Sequence, residues 1–541
     1  MTNPLVLTLV ACLAAIPAFC DAPAIAAQGV KNAASYEDPE LPNGPIAEGS
    51  IFNIFGSSMG PAALAYATSL PLPTNLSGTS INVTVGGTTV QCFMIYTSAG
   101  QVAAILPSNT PAGTGTITVS YNGTASPPMP ITVAKSSFGI FALNQQGSGT
   151  GVIQDGNYNF NSPTFAFQPG ETVVLWGTGL GPITGSDATT PPTGNLPAIN
   201  VSVTVGGAPA AVTYAGRSGY SGDDQVAFTI PSGISGCAVP VAVTVSGTNG
   251  ASPVVSNFVT LSVGTGATCT DSEIPASLLQ LFASGNPIRT GSVILIRNTN
   301  LTTNVTSDAG SASFDKYAPN NFFSGEIDFI YGACIVIGSS AAGGVAPSGL
   351  DAGAAINVNG PHGAKPIAAE AGSPGDYAVS FARTAPLYLD PGSYALNNGS
   401  GGADVGPFNF NITVPAAFTW MNNSQITSVP RSQPLTVTWS GGDPTADVFV
   451  LGSSSVADGA GVIFECRTQA SAGTFTVPVA ILQALPASAS SSPTPANPNG
   501  TPLGTLSMLS SSAQIISNPT GIDYLSANDE QESTKTGIPY Q

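Results

Sequence analysis

Apolar and polar residues alternate along most of this chain with a period of two. The alternation is clear at 81–85, 116–120, 201–205 and 435–439, where every second residue is Ile, Val, Leu or Trp. Segments of this kind form strands with one buried face and one solvated face. Clusters of Gly, Pro and Asn separate them, as turns do in antiparallel sandwiches. Because a helical pattern is confined to 275–283, the sequence predicts an all-β chain of two-sheet sandwiches.

The first half of the chain contains the same pattern twice. Three matches in the same order indicate one domain that was copied, and any activity of such a scaffold is expected in its loops. The matching segments are 48–61 with 169–182, 81–87 with 201–207, and 101–108 with 225–232.

The repeat and the composition divide the chain into six parts. At 541 residues, about three or four domains are expected. A Pro/Ser/Ala-rich loop at 486–500 interrupts the last part. The predicted parts are a signal peptide at 1–27, a linker at 28–44, a first Ig-like repeat at 45–136, a second at 137–266, a β-rich region at 267–415 and a C-terminal sandwich-like domain at 416–541.

The charge balance narrows the class of partner. Charged residues make up 7% of the chain, against about 25% in ordinary domains. The 29 acidic and 11 basic residues give a net charge of −18. Such a chain repels phosphate backbones and anionic lipid surfaces, so nucleic acid is excluded as a partner.

The N-terminus indicates export. An apolar run at 5–19 precedes small residues at 24–26, which is the pattern of a secretion signal. Two alternatives stay open: an uncleaved membrane anchor, since no Lys or Arg precedes the run, and a lipoprotein cleavage box at 9–12. No later segment has the length of a membrane helix. The mature chain is therefore predicted to be extracellular or at the cell surface, without membrane insertion.

Five cysteines remain after such processing. An oxidising compartment permits disulfides, and an odd number leaves at least one thiol unpaired. Cys92 is the candidate for the free thiol, because its place in the second copy is assigned to an apolar residue. Cys237 and Cys269 bracket the closing strands of the second copy, and Cys334 and Cys466 are the pair left over. Spacing alone leaves other connectivities open.

Several motifs of the first half together resemble a known family. They are SSFGIFALN at 136–144, PGETVVLWGTGLGP at 169–182, VTVGGAPA at 203–210 and GCAVPVAV at 236–243. This set, over about 45–270, resembles the uncharacterised Ig-like repeat family of secreted acidobacterial, Solibacter-type proteins. The resemblance implies tandem Ig-like β-sandwich domains and brings no known reaction, cofactor or catalytic residue. The first copy departs from the pattern, since it lacks the paired cysteines.

Two signals of nucleophilic or metal catalysis are weak. Residues 56–60 match G-x-S-x-G, but the second copy has Gly where the serine stands, and no helical segment follows. His362 is the one histidine of the chain and is expected in a solvated loop. Catalysis by zinc of the usual kinds, which relies on several histidines, is therefore not expected.

Carboxylates leave two further hypotheses open. Paired acids can hydrolyse glycosidic bonds without histidine, and the third region holds four candidates. Asp223 and Asp224, in a Gly-rich loop, and Asp443 carry oxygen ligands suited to calcium, although their spacing follows no ordered ligand pattern. We predict no metal and no cofactor. The four acids of the third region are Asp308, Asp315, Glu326 and Asp328.

Aromatic residues in or beside loops indicate a binding surface, because flat rings stack on sugars or anchor a protein partner. Trp176, Trp420 and Trp439 lie within strand patterns and are predicted to be core residues. Tyr214 and Tyr331 also lie beside loops, where packing is the simpler role. The residues predicted to form binding loops are Tyr220, Asp223, Asp224, Tyr317, Phe322 and Phe323.

These observations predict an exported, non-enzymatic chain of Ig-like sandwiches that has an adhesive, scaffolding or carbohydrate-contacting role. Its partner is an unknown extracellular protein or polysaccharide. One alternative is a polysaccharide-active enzyme whose catalytic acids include Asp315 and Glu326. Another is a structural envelope or filament subunit, which would self-associate.

Overall fold

The computed structural model describes residues 22–247, 253–271, 274–318, 330–338, 346–457, 459–492 and 500–541. Strands dominate throughout, so the chain is all-β as predicted. No helix in these ranges is long and apolar enough to cross a membrane.

The first sandwich has two layers. One layer has the order β1-β3-β8-β7-β4, the other has the order β2-β11-β9-β5-β6, and β10 pairs with β9. Phe52, Ile54, Val83 and Val119 are fully buried between the layers, as the period-two pattern predicts. The strands are β1 (Ala24–Asn32), β2 (Ile46–Ala47), β3 (Ile51–Ser57), β4 (Ala65–Tyr66), β5 (Thr79–Val85), β6 (Thr88–Gln91), β7 (Phe93–Thr97), β8 (Gln101–Ile105), β9 (Gly113–Tyr121), β10 (Thr124–Ala125) and β11 (Met129–Ala134).

The N-terminal segment differs from the prediction. Strand β1 pairs antiparallel with β3, so residues 28–32 belong to the sandwich and are not a linker. Sequence reasoning missed the strand because its alternation is weak and a pairing partner cannot be read from local pattern. The apolar run at 5–19 lies outside the described residues, and export by a signal peptide stays a prediction.

The second sandwich follows the same plan. Its strand order is β12-β14-β17-β16-β15-β18-β19, with β13 paired to β14 and β20 to β18. The strands are β12 (Gly139–Ile140), β13 (Ile153–Gln154), β14 (Thr172–Thr178), β15 (Ile199–Val205), β16 (Ala208–Arg217), β17 (Asp224–Thr229), β18 (Gly236–Gly247), β19 (Val254–Val255) and β20 (Val259–Val263).

The C-terminal half is built around one large sheet of thirteen strands in the described ranges, in the order β23-β33-β32-β35-β36-β21-β22-β27-β26-β25-β28-β29 with β24 beside β22. A three-stranded sheet, β30-β31-β34, packs with it. The elements are α1 (Ala276–Ala283), β21 (Ile288–Asn300), β22 (Val305–Tyr317), β23 (Cys334–Gly338), β24 (Ser348–Gly349), β25 (Ala355–Gly360), β26 (Gly363–Ala369), β27 (Asp376–Ala382), β28 (Gly392–Asn397), β29 (Asn409–Val414), β30 (Phe418–Trp420), β31 (Leu435–Gly441), β32 (Asp447–Ser455), β33 (Gly461–Gln469), β34 (Thr474–Val477), α2 (Val479–Ala484), β35 (Gly504–Ile516) and β36 (Tyr524–Thr536).

The predicted boundary at 415/416 does not separate two sheets. Strand β36 near the C-terminus runs parallel to β21, and β23 pairs with β33, so each region supplies strands to the other. These pairings join residues more than one hundred positions apart, which local periodicity cannot show. The C-terminal core also takes in Leu41 of the first sandwich and Phe258 of the second. The domains are therefore packed together and are not spaced along linkers.

The cysteines pair as Cys237–Cys269 and Cys334–Cys466. Cys334 and Cys466 lie opposite each other in the β23–β33 ladder. Cys92 is a buried free thiol in the first core. These are the pairs that the sequence favoured, and the second sandwich alone of the two copies carries a bond.

Candidate functional site: a cleft between the two sandwiches

A cleft of about 530 Å³ lies where the outer faces of the two sandwiches meet. This volume is in the range of roughly 300–1,000 Å³ that is typical of small-molecule sites, which often lie at domain interfaces. The side chains of Tyr36, Asn53 and Tyr96 form one wall, and those of Phe141, Phe160 and Trp176 contribute to the other.

The first wall is the outer face of β3, β7 and β8. Phe52 and Ile54 point into the core, so the pleat turns Asn53 outward. Its Nδ2 donates to the Tyr36 hydroxyl at 3.3 Å, and its Oδ1 accepts from the Tyr96 hydroxyl at 3.1 Å. Gln101 Nε2 donates to the same Tyr96 oxygen at 2.7 Å. A line of neutral amides and phenols therefore runs along this wall.

The second wall comes from β14 and the segment before it. Val173 and Leu175 are buried in the core, and the alternation turns the Trp176 ring to the opposite face, where it is partly exposed. The Trp176 indole Nε1 donates to Gln154 Oε1 at 2.9 Å, which holds the ring in place. The prediction that Trp176 is a core residue is therefore wrong. Trp420 and Trp439 are buried as predicted.

Further aromatic rings are exposed on the same two sandwiches. Phe160, which lines the cleft, is 50% exposed, and the neighbouring Tyr158 is 76% exposed. Tyr66, 59% exposed, packs edge-on against Tyr96 with ring centroids 6.0 Å apart. Exposed rings that adjoin a cleft are typical of a binding surface, because they bury apolar area on contact at little cost in entropy.

The cleft carries little charge. Among the described residues that line it, Asp223 is the one carboxylate, and none is Lys, Arg or His. Burial raises the pKa of Asp223 to about 7, against a lowering by its hydrogen bond from Ser218. Burial, with the nearby Tyr36 and Tyr66, raises the pKa of Tyr96 to about 12, so its phenol stays protonated near neutral pH. The walls therefore present mainly neutral hydrogen-bonding groups.

A buried ion pair of the second sandwich also contacts the first sandwich. Arg217 and Asp224 are 2% and 0% exposed and form a salt bridge. Arg217 Nη2 donates at 2.9 Å to the carbonyls of Gly49 in the first sandwich and Gly181 in the second. Gly49 has a φ of +74°, and a Cβ there would overlap Arg217 Nη2, so both conformation and space require glycine.

Two further links cross the same junction. Asp187 of the second sandwich accepts from the Ser108 amide at 2.7 Å and from its hydroxyl at 2.9 Å. The Ile51 amide donates to Thr178 Oγ1 at 2.8 Å, and that hydroxyl donates to the Gly222 carbonyl at 2.6 Å. Because Ile51 itself lines the cleft, these hydrogen bonds hold the two walls in place relative to each other.

A second concavity of about 510 Å³ lies on one face of the large sheet. It is polar and acidic, with Asp315, Asp447, Glu465 and Glu530 among its lining residues. Burial, then the neighbouring Glu532, raises the pKa of Glu530 to about 7. Of the four acids in the glycosidase hypothesis, Asp315 lines this groove. Asp308 is fully buried in a salt bridge with Arg297, and Glu326 and Asp328 lie outside the described residues. Within the described residues, no group of three His, Cys, Asp or Glu is placed to hold a metal ion.

The predicted binding residues separate in the structure. Asp223 lines the cleft, and Tyr220 is 71% exposed in the turn between β16 and β17. Asp224 is not a binding-loop residue or a calcium ligand, because Arg217 and the amides of Gly179 and Leu180 occupy its carboxylate. Tyr317 lines the distant acidic groove, and Phe322 and Phe323 lie outside the described residues. Asp443 makes its bonds to Thr445 and Ser512.

Sequence reasoning missed the residues that form most of the cleft. The sequence could have predicted the position of Trp176. Val173 and Leu175 face the core, so the alternation turns Trp176 away from it. Tyr36 lay in the presumed linker, and Phe141 and Phe160 lie in irregular segments without a pattern. Only the meeting of two domains brings these rings together.

Comparison with known proteins places an Ig-like domain in the first sandwich. Residues 39–133 match the IPT/TIG domain model, so an IPT/TIG Ig-like domain is present there. No curated protein matches the chain.

Solved structures that resemble the chain include immunoglobulin tandems. A titin immunoglobulin tandem matches 45% of this chain and 98% of its own at 9% identity and a TM-score of 0.12. Immunoglobulin domains 1–5 of Sidekick-1 match 95% of this chain and 99% of their own at 10% identity and a TM-score of 0.13. A Salmonella alpha-2-macroglobulin variant matches 96% of this chain and 31% of its own at 11% identity and a TM-score of 0.17. These low scores carry no functional argument.

Proposed function

We propose that this chain is an exported, non-enzymatic binding protein, which holds an extracellular protein or polysaccharide in the cleft between its two Ig-like copies. Kinship with secreted acidobacterial repeat proteins is part of this proposal. Ig-like and IPT/TIG domains are frequent in proteins of binding and adhesion, which agrees with it.

The observation that carries the proposal is a preformed cleft with aromatic walls. The rings come from two separate domains, and the Arg217–Asp224 junction holds those domains together before any ligand arrives. A site whose geometry exists in advance loses little entropy on binding. The two disulfides and the apolar run at 5–19 support the exported location.

The acidic groove favours one alternative, a polysaccharide-active enzyme. Asp315 and Glu530 line the same groove, and burial raises the pKa of both carboxyls, as a general acid requires. Glu326, the predicted partner of Asp315, lies outside the described residues. Turnover of a glycan that disappears in Asp315→Asn and Glu530→Gln would establish this alternative.

The binding proposal is tested with a panel of polysaccharides and purified secreted proteins. We compare the wild type with Trp176→Ala and with Tyr220→Ala, whose ring is exposed outside the cleft. Trp176→Ala is expected to weaken binding about tenfold or more, as loss of an aromatic anchor does, and Tyr220→Ala to leave it unchanged. Unchanged thermal unfolding of the variants shows that the fold is kept.

Two outcomes would contradict the proposal. One is a ligand that both Trp176→Ala and Tyr96→Ala bind as tightly as the wild type does. The other is hydrolysis of a bound glycan by the wild type, which would make the chain an enzyme.

A further inference from the structure

The chemistry of the cleft walls identifies a class of ligand. We propose that the cleft binds an uncharged saccharide, whose ring lies between the aromatic side chains of the two sandwiches. This assignment rests on the proposed binding function of the cleft.

Aromatic rings line the cleft on both sides. Trp176 and Phe160 belong to the second sandwich, and Tyr36 and Tyr96 belong to the first, so rings line the cleft from both sides. Flat rings of this kind bury the C–H faces of a sugar without demanding charge or a fixed donor pattern.

The polar groups of the cleft are mostly neutral. Asn53 and the phenols of Tyr36 and Tyr96 are neutral, and each can both donate and accept hydrogen bonds. Sugar hydroxyls also donate and accept, so this set matches them better than it matches a one-sided acceptor such as a carboxylate. A purely apolar ligand would displace water from these polar groups without offering them a donor or an acceptor, which costs free energy.

The charges exclude ionic ligands. An anionic sugar would meet no Lys, Arg or His among the described lining residues and would enter beside the Asp223 carboxylate. The net charge of −18 also repels it at long range. A cationic ligand would find one carboxylate, whose pKa of about 7 leaves it only partly ionised at neutral pH.

The strand order argues against an extended peptide. Peptides that add to a sheet need a free strand edge for their backbone groups. The strands in the walls present their faces to the cleft: β3 is paired on both sides by β1 and β8, and β14 is paired by β12 and β17. A peptide backbone here would lose its water without gaining ladder hydrogen bonds.

The test uses calorimetry and tryptophan fluorescence on the full chain. Trp420 and Trp439 are buried at 1% and 5% exposure, so the partly exposed Trp176 reports on the cleft. The probes are neutral oligomers of glucose, xylose, mannose and galactose, together with galacturonate and glucosamine oligomers as charged counterparts.

A neutral oligomer is expected to bind and to change the fluorescence, with an affinity that varies less than about twofold between low and high salt. Trp176→Ala should weaken this binding about tenfold or more. Trp176→Phe, which keeps a ring, should retain most of the affinity and lose the fluorescence change. That pair separates stacking from a general structural defect.

The remaining outcomes overturn the inference in distinguishable ways. Tighter binding of galacturonate or glucosamine oligomers would show that the ligand is charged. Trp176-dependent binding of a secreted protein, with no neutral oligomer bound up to about 10 mM, would refute the saccharide and keep the proposed binding function. If no probe of either kind binds in a Trp176-dependent way, both the inference and the proposed function fail.

Discussion

The two Ig-like copies differ in the acceptor that binds one buried backbone amide. In the first copy, the Met59 amide donates to the Ala99 carbonyl at 3.1 Å. In the second, the equivalent Leu180 amide donates to the Asp224 carboxylate at 2.9 Å. Both Met59 and Leu180 are fully buried, so the core is conserved between the copies while the acceptor changes.

The change of acceptor explains how the copies are joined. A buried carboxylate requires a cation, and Arg217 supplies it and also reaches the Gly49 carbonyl of the other sandwich. By strand register, Asp224 stands where the first copy has Gly100, since each precedes the glutamine that pairs with β3 or β14. The change from Gly100 in the first copy to Asp224 in the second therefore accompanies the Arg217 contact between the two sandwiches.

The two copies also differ in the segment that passes from one layer of the sandwich to the other. In the second copy, β16 is continuous, and it pairs first with β15 and then with β17. In the first copy, the same path is split at Cys92 into β6 and β7. Both copies keep a bulge one residue before a tyrosine, Tyr96 or Tyr214, so the pleat can turn Tyr96 toward the cleft.

Breaking the copy-specific ion pair should have the largest effect. Arg217→Met leaves Asp224 buried without its cation, so the free energy of unfolding should fall by about 3–5 kcal/mol in chemical denaturation. The double variant with Asp224→Asn should recover part of this loss, because it removes the stranded charge. A loss below about 1 kcal/mol in the single variant would mean that the pair does not stabilise the junction.

The disulfide of the second copy should come next. Cys237→Ala with Cys269→Ala should lower the free energy of unfolding by about 2–4 kcal/mol, because the bond restricts the unfolded chain. In the first copy, Cys92→Ala removes only a buried thiol and should cost about 1 kcal/mol. Equal losses in non-reducing denaturation would remove this contrast between the copies.

The smallest effect concerns pH. Burial raises the Asp223 pKa to about 7, so the folded state holds its proton more tightly than the unfolded state does. This group therefore makes stability fall as pH rises from about 4 to about 7. Asp223→Asn should flatten that fall in denaturation measured across the window. Because Asp223 is partly exposed and solvent screens its charge, we expect a change on the order of 1 kcal/mol and not the full value of the shift. Parallel curves for both proteins would contradict it.

Much of the fold followed from local pattern. The repeat located both Ig-like copies because their turns and buried alternations are local, and the cysteines bracketed the strands that they join. The same alternation also indicates that Trp176 faces away from the core, because Val173 and Leu175 face into it. The prediction that Trp176 is a core residue gave more weight to its aromatic character. Asp224 was misjudged, because an acid in a Gly-rich turn resembles a surface residue until its partner from β16 is known.

By itself, the sequence determined the strands with clear alternation, the duplicated sandwich and the acidic, low-charge character of the chain, since each depends on residue type and near neighbours. Only the tertiary structure decided the pairing of β1 with β3 and of β21 with β36, and the rings that face each other across the cleft. These features join residues far apart in the chain. Their energy comes from surfaces that exist only once the sandwiches have folded and met.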